Sequence, residues 1–519
     1  MHYIGGFFVL ALVLMGFMYL EASTEVQRFH QHLERPGEAD LGLCLRCTGD
    51  ELCTHLPIMI IDTGGLIIPG RPIYDYRVPI SLNLNRVREM SFRVFETTED
   101  GETQAEASVI VIDGQNEWNH VNDTPVHESL AMIRIRGNSS RRFDKPNYRI
   151  RLIHPNGEDN YLPLLGMSPH FEWALHGPFL DKTLMRNYMW MNIAAEVMGT
   201  GHFVSNTQFF ELIVNGEYQG VYVLMETIRI DPNRLNLTRY RQGMPATSYL
   251  VRLDRTRSFD RQVYTFSTVT FRNERHPTEI LYPRRSNQSD CVQNYIKRSI
   301  STVERLLYSQ EMIWYPRIYE QYIDVDSFVN FFIINEFILN NDLWSNSTYF
   351  HKDVRGKLVA GPVWDFNNVM DNFFRTMPVR GFVLADRGWF DRLFMCPYFT
   401  ERVIHRWQEL RRGILAEERL VQYMEDVEAW LGSAICRNYQ FEVWGYSFNP
   451  TLVGGGIRRL SEEQNAAGLT IFDVNPASFE EAFAWKREYM IARGRWLDNN
   501  IESLRQFSHP SRHAPWVLQ

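Results

Sequence analysis

Residues 209–228, "FFELIVNGEYQGVYVLMETI", constrain the fold more than any other stretch of the chain. Two apolar runs flank Asn215-Gly216, a pair that accepts positive φ at both positions and so closes a two-residue hairpin between antiparallel strands. The preceding segment carries the same signal. In "LAMIRIRGNSSRRFDKPNYRIRLI" (130–153), Ile133 and Ile135, then Tyr148, Ile150 and Leu152, fall on alternate positions, the period of a half-buried strand. Between these hairpins, "LDKTLMRNYMWMNIAAEVMG" reads as a helix, with Asp181 suited to the N-cap and Gly199 to the residue after its end. Earlier runs, "LPIMIIDTGGLIIPG" (56–70) and "ASVIVIDG" (107–114), add further strands.

After Ile230 the pattern changes. The chain is more polar to about residue 290, and "NERHPTEILYPRRSNQSD" reads as a surface excursion. "DSFVNFFIINEFIL" (326–339) predicts a strongly apolar helix capped by Asp326, and most of the remainder shows helical spacing with charged outer faces. A strand-rich front half before a helix-rich back half predicts an α+β chain of bilobal order. The expected divisions are a signal peptide or membrane anchor at 1–22, a Cys-containing linker at 23–55, a strand-rich N-terminal region at 56–115, an N-lobe at 116–230, a C-lobe at 231–505 and a tail at 506–519.

A net charge of −8 argues against a chain-wide nucleic-acid binder, so any basic patch is local. Residues 3–20 are uncharged and almost entirely apolar, a length between a signal-peptide core and a short membrane span. Both readings place the body of the chain outside the cytoplasm, secreted or held at a membrane. Cys44, Cys47, Cys53, Cys291, Cys396 and Cys436 make an even number, which in an exported chain suggests disulfides. Cys44-x-x-Cys47, with Cys53 and His55 close behind, is the alternative: a zinc site.

The chemistry concentrates in "LNNDLWSNSTYFHKDVRGKLVAGPVWDFNNVMDN" (339–372). Asp342 and Asn346 follow the apolar helix directly, and a hairpin turning at "DVRGK" folds Asp365 back beside them. Two carboxylates and an amide oxygen suit a hard divalent cation, with one carboxylate left to accept a proton from a hydroxyl nucleophile. These residues alone equally suit a loop cap and a turn. The basic loop "RIRGNSSRRFDK" offers Arg136, Gly137, Asn138, Ser139, Lys145 and the nearby Arg149 as an anion cradle, or else as a solvated strand face. The order of elements is that of a protein kinase, with Leu224, Met225 and Glu226 as the connector whose backbone would meet an adenine edge. Two departures stand out: Asp342 to Asn346 spans four residues rather than five, and Asn367 stands where a D-F-G glycine would be.

The blocks "IRGNSSRRFDKPNYRIRL", "WALHGPFLDKTLMRN", "NGEYQGVYVLMETI", "NDLWSNSTYFHKD" and "GPVWDF", in this order, resemble the CotH kinase family over roughly 56–500. The resemblance implies an atypical kinase that uses ATP and Mg²⁺ or Mn²⁺ to phosphorylate Ser or Thr of coat or surface proteins. Asp342 falls on the family's catalytic aspartate and Asp365 on its metal-binding one, with Asn346 as second metal ligand. Lys145 or Arg149 would take the phosphate-binding lysine's part. Many members carry another acid after the metal aspartate, where this chain has Asn367 and Asn368. Arg186-Asn187 either points into the cleft or forms a helix-surface salt bridge and cap, and Glu196 reads as a solvent-facing acid. The rival functional class is a surface binding protein or adhesin on a catalytically silent kinase-like fold, and a third is a coat scaffold.

Overall fold

The computed structural model describes residues 28–47, 52–72, 95–137, 139–244, 246–254, 264–269, 275–340, 342–370, 379–449 and 476–509. The expected signal or anchor at 1–22 and most of the expected tail lie outside these residues, as does Asn138. Among the described residues no helix is long and apolar enough to cross a membrane.

The front half closes into a seven-stranded barrel. After a short strand β1 (Cys53–Thr54) come β2 (Ile58–Asp62), β3 (Ala105–Ile112), a short β4 (Asn119–His120), β5 (His127–Arg136), β6 (Asn147–Ile153), β7 (Glu172–His176), β8 (Thr207–Val214) and β9 (Glu217–Glu226). The barrel order is β2-β3-β5-β6-β7-β9-β8, closed by a parallel pairing of β2 with β8, while β1 and β4 pair separately. Strands from 56–115 and from 116–230 thus share one barrel. The Asn215-Gly216 hairpin forms as predicted, with φ of 50° and 80° at its two residues.

Alternation along β8 and β9 explains how the barrel joins the rest of the chain. Phe210, Leu212, Tyr222 and Leu224 pack into the barrel interior with Ile133, Ile150 and Trp173. Their neighbours Phe209, Val221, Val223 and Met225 point outward into the larger core. There they meet helix α1 (Arg186–Met198), in which only Ala195 and Glu196 escape full burial. A helix apolar on nearly all sides belongs between two layers. Asp181 does serve its N-terminus, but from outside the helix: its carboxylate accepts the Arg186 backbone N–H at 2.7 Å.

The back half is less helical than its sequence suggests. After α1, β10 (Tyr249–Leu253), β11 (Tyr264–Val269), β12 (Arg275–Tyr282), β13 (Thr348–Lys352) and β14 (Val359–Ala360) form a second sheet, ordered β11-β12-β10-β13-β14. The stretch 231–290 therefore holds three strands, not an excursion alone. Around the sheet gather α2 (Asp290–Leu307), α3 (Val325–Phe337), α4 (Pro397–Arg411), α5 (Glu417–Leu431) and α6 (Phe479–Asn500). The α3 cap is Asp324, which accepts the Ser327 N–H at 2.9 Å, whereas Asp326 sits in the first turn and pairs with Arg402. Inside α3, Glu336 is buried and held by Arg493 at 2.6 Å and by the N–H groups of Val383 and Leu384 at 2.8 and 2.7 Å.

Residues 28–47 are a strap rather than a loose linker. Gln31 makes a two-way hydrogen bond with the backbone of Phe209 at 2.6 and 3.1 Å, and Arg35 pairs with Asp113 at 2.6 Å. Glu38 reaches the backbone N–H of Ser433 at 3.0 Å. Glu196 also faces this strap rather than solvent, bonded to His30 at 2.9 Å and to Arg419 at 2.8 Å.

Candidate active site

The end of α3 and the β13–β14 hairpin build the acidic side of the site. Asn340 turns back on α3 through Asn335, at 2.9 Å from its N–H and 2.8 Å from its side chain, which stops the helix just before Asp342. A tight turn follows, in which the Asn346 N–H reaches the Asp342 carbonyl at 2.7 Å. The Asn346 side-chain Nδ2 donates to Asp342 Oδ1 at 2.8 Å, which fixes both groups. Trp344 anchors the loop from below, packed on Trp389, Phe350 and Phe390. Gly388 is required there, since a Cβ would lie 2.1 Å from the Trp344 ring.

The hairpin then returns the chain as expected. Phe350 pairs with Ala360 and His351 with Val359, and Ser347 Oγ donates to Asp365 Oδ2 at 3.0 Å. The Met370 N–H bonds the Ile338 carbonyl at 2.9 Å, so the segment after Asp365 closes back on the end of α3. Five of the nine described non-glycine residues with positive φ lie between 339 and 370: Leu339, Trp344, Ser347, Asp365 and Met370. Such backbone is costly for residues with a Cβ and gathers where side-chain placement matters more than local comfort.

Asp365 is open to solvent, yet protein crowds it on most sides. That crowding raises its carboxyl pKa; Arg136 pulls it down, and Asp342 and Asp254 push it up. Arg136 ends β5, with its guanidinium 5.5 Å from the Trp364 ring, beside Asp365 in the chain. Asp342, Asn346, Asp365 and Arg136 are thus brought together. Asn346 Oδ1 is buried and has no hydrogen-bond partner among the described residues. Its amide is locked the other way by Asp342, so this oxygen is presented for a ligand.

The other residues expected at the site divide. Arg149 contacts Glu172, and Glu172 also takes Arg229 in a bidentate pair at 2.8 and 2.9 Å. Burial opposes ionisation of Glu172, but the two guanidiniums prevail and hold its carboxyl at about 2. Burial lowers the Arg149 pKa, and the fields of Arg229 and Arg136 add to that fall, so three arginines share a neighbourhood around one carboxylate. Ser139 lies in a single helical turn, 139–142, after β5. Arg141 in that turn binds the carbonyls of Gly137 and Gly70 at 2.7 and 2.9 Å.

Lys145 does not join this group. Its fully buried ammonium donates to the Val221 carbonyl at 2.7 Å and to Asn438 at 2.8 Å, and it lies against the rings of Tyr222 and Trp444. Burial drives its pKa well below the usual lysine range, with the Lys182 charge adding to the effect. The expected connector also shifts. Leu224, Met225 and Glu226 are the last residues of β9, which is paired on both sides, by β7 and by β8. Glu226 binds Arg234 at 2.7 Å and the Asn206 N–H at 2.9 Å, so the chain leaves the barrel only at Thr227. Arg186 is neither a surface residue nor a cleft residue. It is buried, pairs with Asp181 at 2.5 Å, and reaches the Val369 carbonyl at 3.3 Å, tying α1 to the loop after Asp365.

A family model described as CotH kinase protein matches residues 133–497. The chain belongs to the CotH kinase family. Membership suggests a kinase, a transferase by class, and with it a nucleotide, a divalent metal and a protein substrate. No curated protein matches the chain.

Sequence reasoning passed over Glu172, Arg229, Ser347 and Asp254. The last directly follows β10 and pairs with Arg252 at 3.3 Å. Glu172 stands as a lone acid in the apolar run "HFEWALH", a readable signal of a buried charge with a partner, whereas Arg229 sits between Glu226 and Asp231 and is less distinct. Asp254 and Ser347 had none, because only tertiary pairing carries them to Asp365.

Proposed function

We propose that this protein is an ATP-dependent kinase that phosphorylates Ser or Thr of a coat or surface protein outside the cytoplasm. The observation that carries the reading is Asn346 Oδ1, a buried oxygen without a partner among the described residues, fixed beside two carboxylates whose charges feel one another. Two acids and an amide oxygen form the all-oxygen donor set that Mg²⁺ or Mn²⁺ takes. Asp365 and Asn346 hold the metal in this reading. When bound, the metal and ATP supply charge neutralisation and the γ-phosphoryl group.

Asp342 uses Oδ1 to hold Asn346, which leaves Oδ2 to accept the proton of the substrate hydroxyl. Arg136, whose field reaches Asp365, orients phosphate oxygens, with Arg149 and Arg229 extending the positive field. Glu172 keeps those two guanidiniums in place. The adenine edge is met by backbone at and after Thr227, where the ladder of β9 ends. Barrel and helical part act as the two lobes, with the nucleotide between them.

The test is phosphate incorporation from labelled ATP with Mg²⁺ or Mn²⁺, beside Asp342→Asn and Asp365→Ala. Label on the wild type that both variants lose supports the kinase. Absence of label together with absence of metal-dependent ATP binding by calorimetry would sink it and leave a surface binding protein on the same fold.

A further inference from the structure

Far from the acids, Cys44, Cys47, Cys53 and His120 converge, each offering one ligand atom, and these atoms all lie within 4.8 Å of one another. His120 Nε2 is 3.4 Å from Cys44 Sγ and 3.5 Å from Cys47 Sγ. Tetrahedral zinc, with Zn–S of about 2.3 Å and Zn–N of about 2.0–2.1 Å, would set sulfur and nitrogen about 3.6 Å apart and two sulfurs about 3.8 Å apart. The cluster is therefore already at ligand spacing. None of the six cysteines is paired with another in the structure, so the expected disulfides find no support there. His55 is not part of the group: it is buried against the Trp430 ring at 5.0 Å and lies 3.5 Å from Glu38.

The surroundings are built for a ligand. Cys53 and His120 are direct partners in the β1–β4 ladder, so two of the four positions are set by backbone pairing. His120 turns Nε2 to the sulfurs and Nδ1 to Asp123 Oδ2, at 3.3 Å. A carboxylate on the far ring nitrogen is the arrangement that fixes the tautomer and orients a metal-binding histidine. Arg46, between the first two cysteines, binds Asp123 at 2.7 Å and the Trp118 carbonyl at 2.8 Å.

We propose that Cys44, Cys47, Cys53 and His120 bind one zinc ion, a closed structural site that fastens the N-terminal strap to the barrel. Four protein ligands leave no open position for a substrate, so the site supports folding rather than catalysis. It lies outside residues 133–497, the part that carries the family match, and stands independently of the kinase reading.

The full chain, purified under reducing conditions and dialysed against trace zinc, is expected to carry about one zinc ion per chain by elemental analysis. Replacement by cobalt should give the visible absorption of a tetrahedral thiolate complex. Cys47→Ser, the most exposed ligand, should lose that spectrum and most of the zinc while circular dichroism stays native. Cys291→Ser, a cysteine outside the cluster, should change neither. Metal-free protein whose mass shows a bond between two of the three thiols would overturn the proposal in favour of a disulfide. Metal-free protein with all three thiols freely alkylated at native pH would overturn it outright.

Discussion

Glu172 and Asp365 are both carboxylates set beside guanidiniums, and the protein tunes them in opposite directions. Glu172 has both oxygens engaged by Arg229 and a further contact from Arg149, and its pKa falls to about 2. Asp365 has one serine hydroxyl, one arginine whose field reaches it and two repelling acids, and its pKa rises, the crowding of protein around it being the largest cause. Desolvation acts on both; the partners decide the sign. A carboxylate with its lone pairs filled holds other groups in place. One that the fold crowds and leaves short of donors suits the metal-holding role proposed for Asp365.

The largest effect tests the second half of that contrast. Asp342→Asn is expected to lower the rate of phosphoryl transfer by about 10²–10⁴-fold, the usual worth of a general base. Asp365→Ala should abolish transfer and metal-dependent nucleotide binding together. Both variants should melt close to the wild type, because neither acid anchors the core. A large drop in melting temperature in either would place that acid with Glu172 as a structural group.

Glu172→Ala tests the other half. Removing it leaves Arg149 and Arg229, both partly exposed, without their shared anion, and losing such charge-assisted bonds costs about 1.5–3 kcal/mol. Equilibrium denaturation measures this directly. The wild type carries a matching pH signature. Its folded-state pKa lies below the ordinary 4.5, so the stability Glu172 contributes is complete above that value and drains away as pH falls towards about 2. Glu172→Gln should flatten stability against pH in that window.

Arg136→Ala sharpens the comparison at Asp365 itself. Arg136 lowers the Asp365 pKa, so its loss should let that pKa rise further. The acid limb of kcat/KM should then move to higher pH, and the KM for ATP should increase about tenfold, as one charge-assisted phosphate contact is lost. An unmoved acid limb would separate Arg136 from Asp365.

The same contrast explains which parts of the molecule could be read from sequence. Asn215-Gly216 and the alternating Ile133, Ile135, Tyr148 and Ile150 are local signals, and the barrel strands they foretell are present. Asp342, Asn346 and Asp365 were legible because a hairpin of known length brings them together. The second sheet was hidden, since β10 pairs with β13 from a stretch about a hundred residues later and neither has clean alternation. Lys145 misled for a related reason. Within a run of arginines it looks solvated, and only the distant Asn438 on the far side of the chain reveals that it is buried. Charge on a strand was visible; which charge found a partner was not. Asp324 and Asp326 stand two residues apart, and a capping signature alone does not choose between them.

The smallest effect bears on the cost of keeping Asp365 ready. A group whose folded pKa is raised binds its proton more readily in the native state, so its ionisation above that pKa opposes folding. Asp365→Asn removes the charge and keeps the shape and the Ser347 contact. In metal-free, nucleotide-free protein at neutral pH, it should melt slightly above the wild type, and the difference should shrink as pH falls and the wild-type carboxyl takes up its proton. Adding Mg²⁺ with ATP should reverse the order, because only the wild type gains ligand stabilisation. A variant that melts lower under every condition would mean that Asp365 is held by attractions stronger than those of Ser347 and Arg136, and the tuning that distinguishes it from Glu172 would be lost.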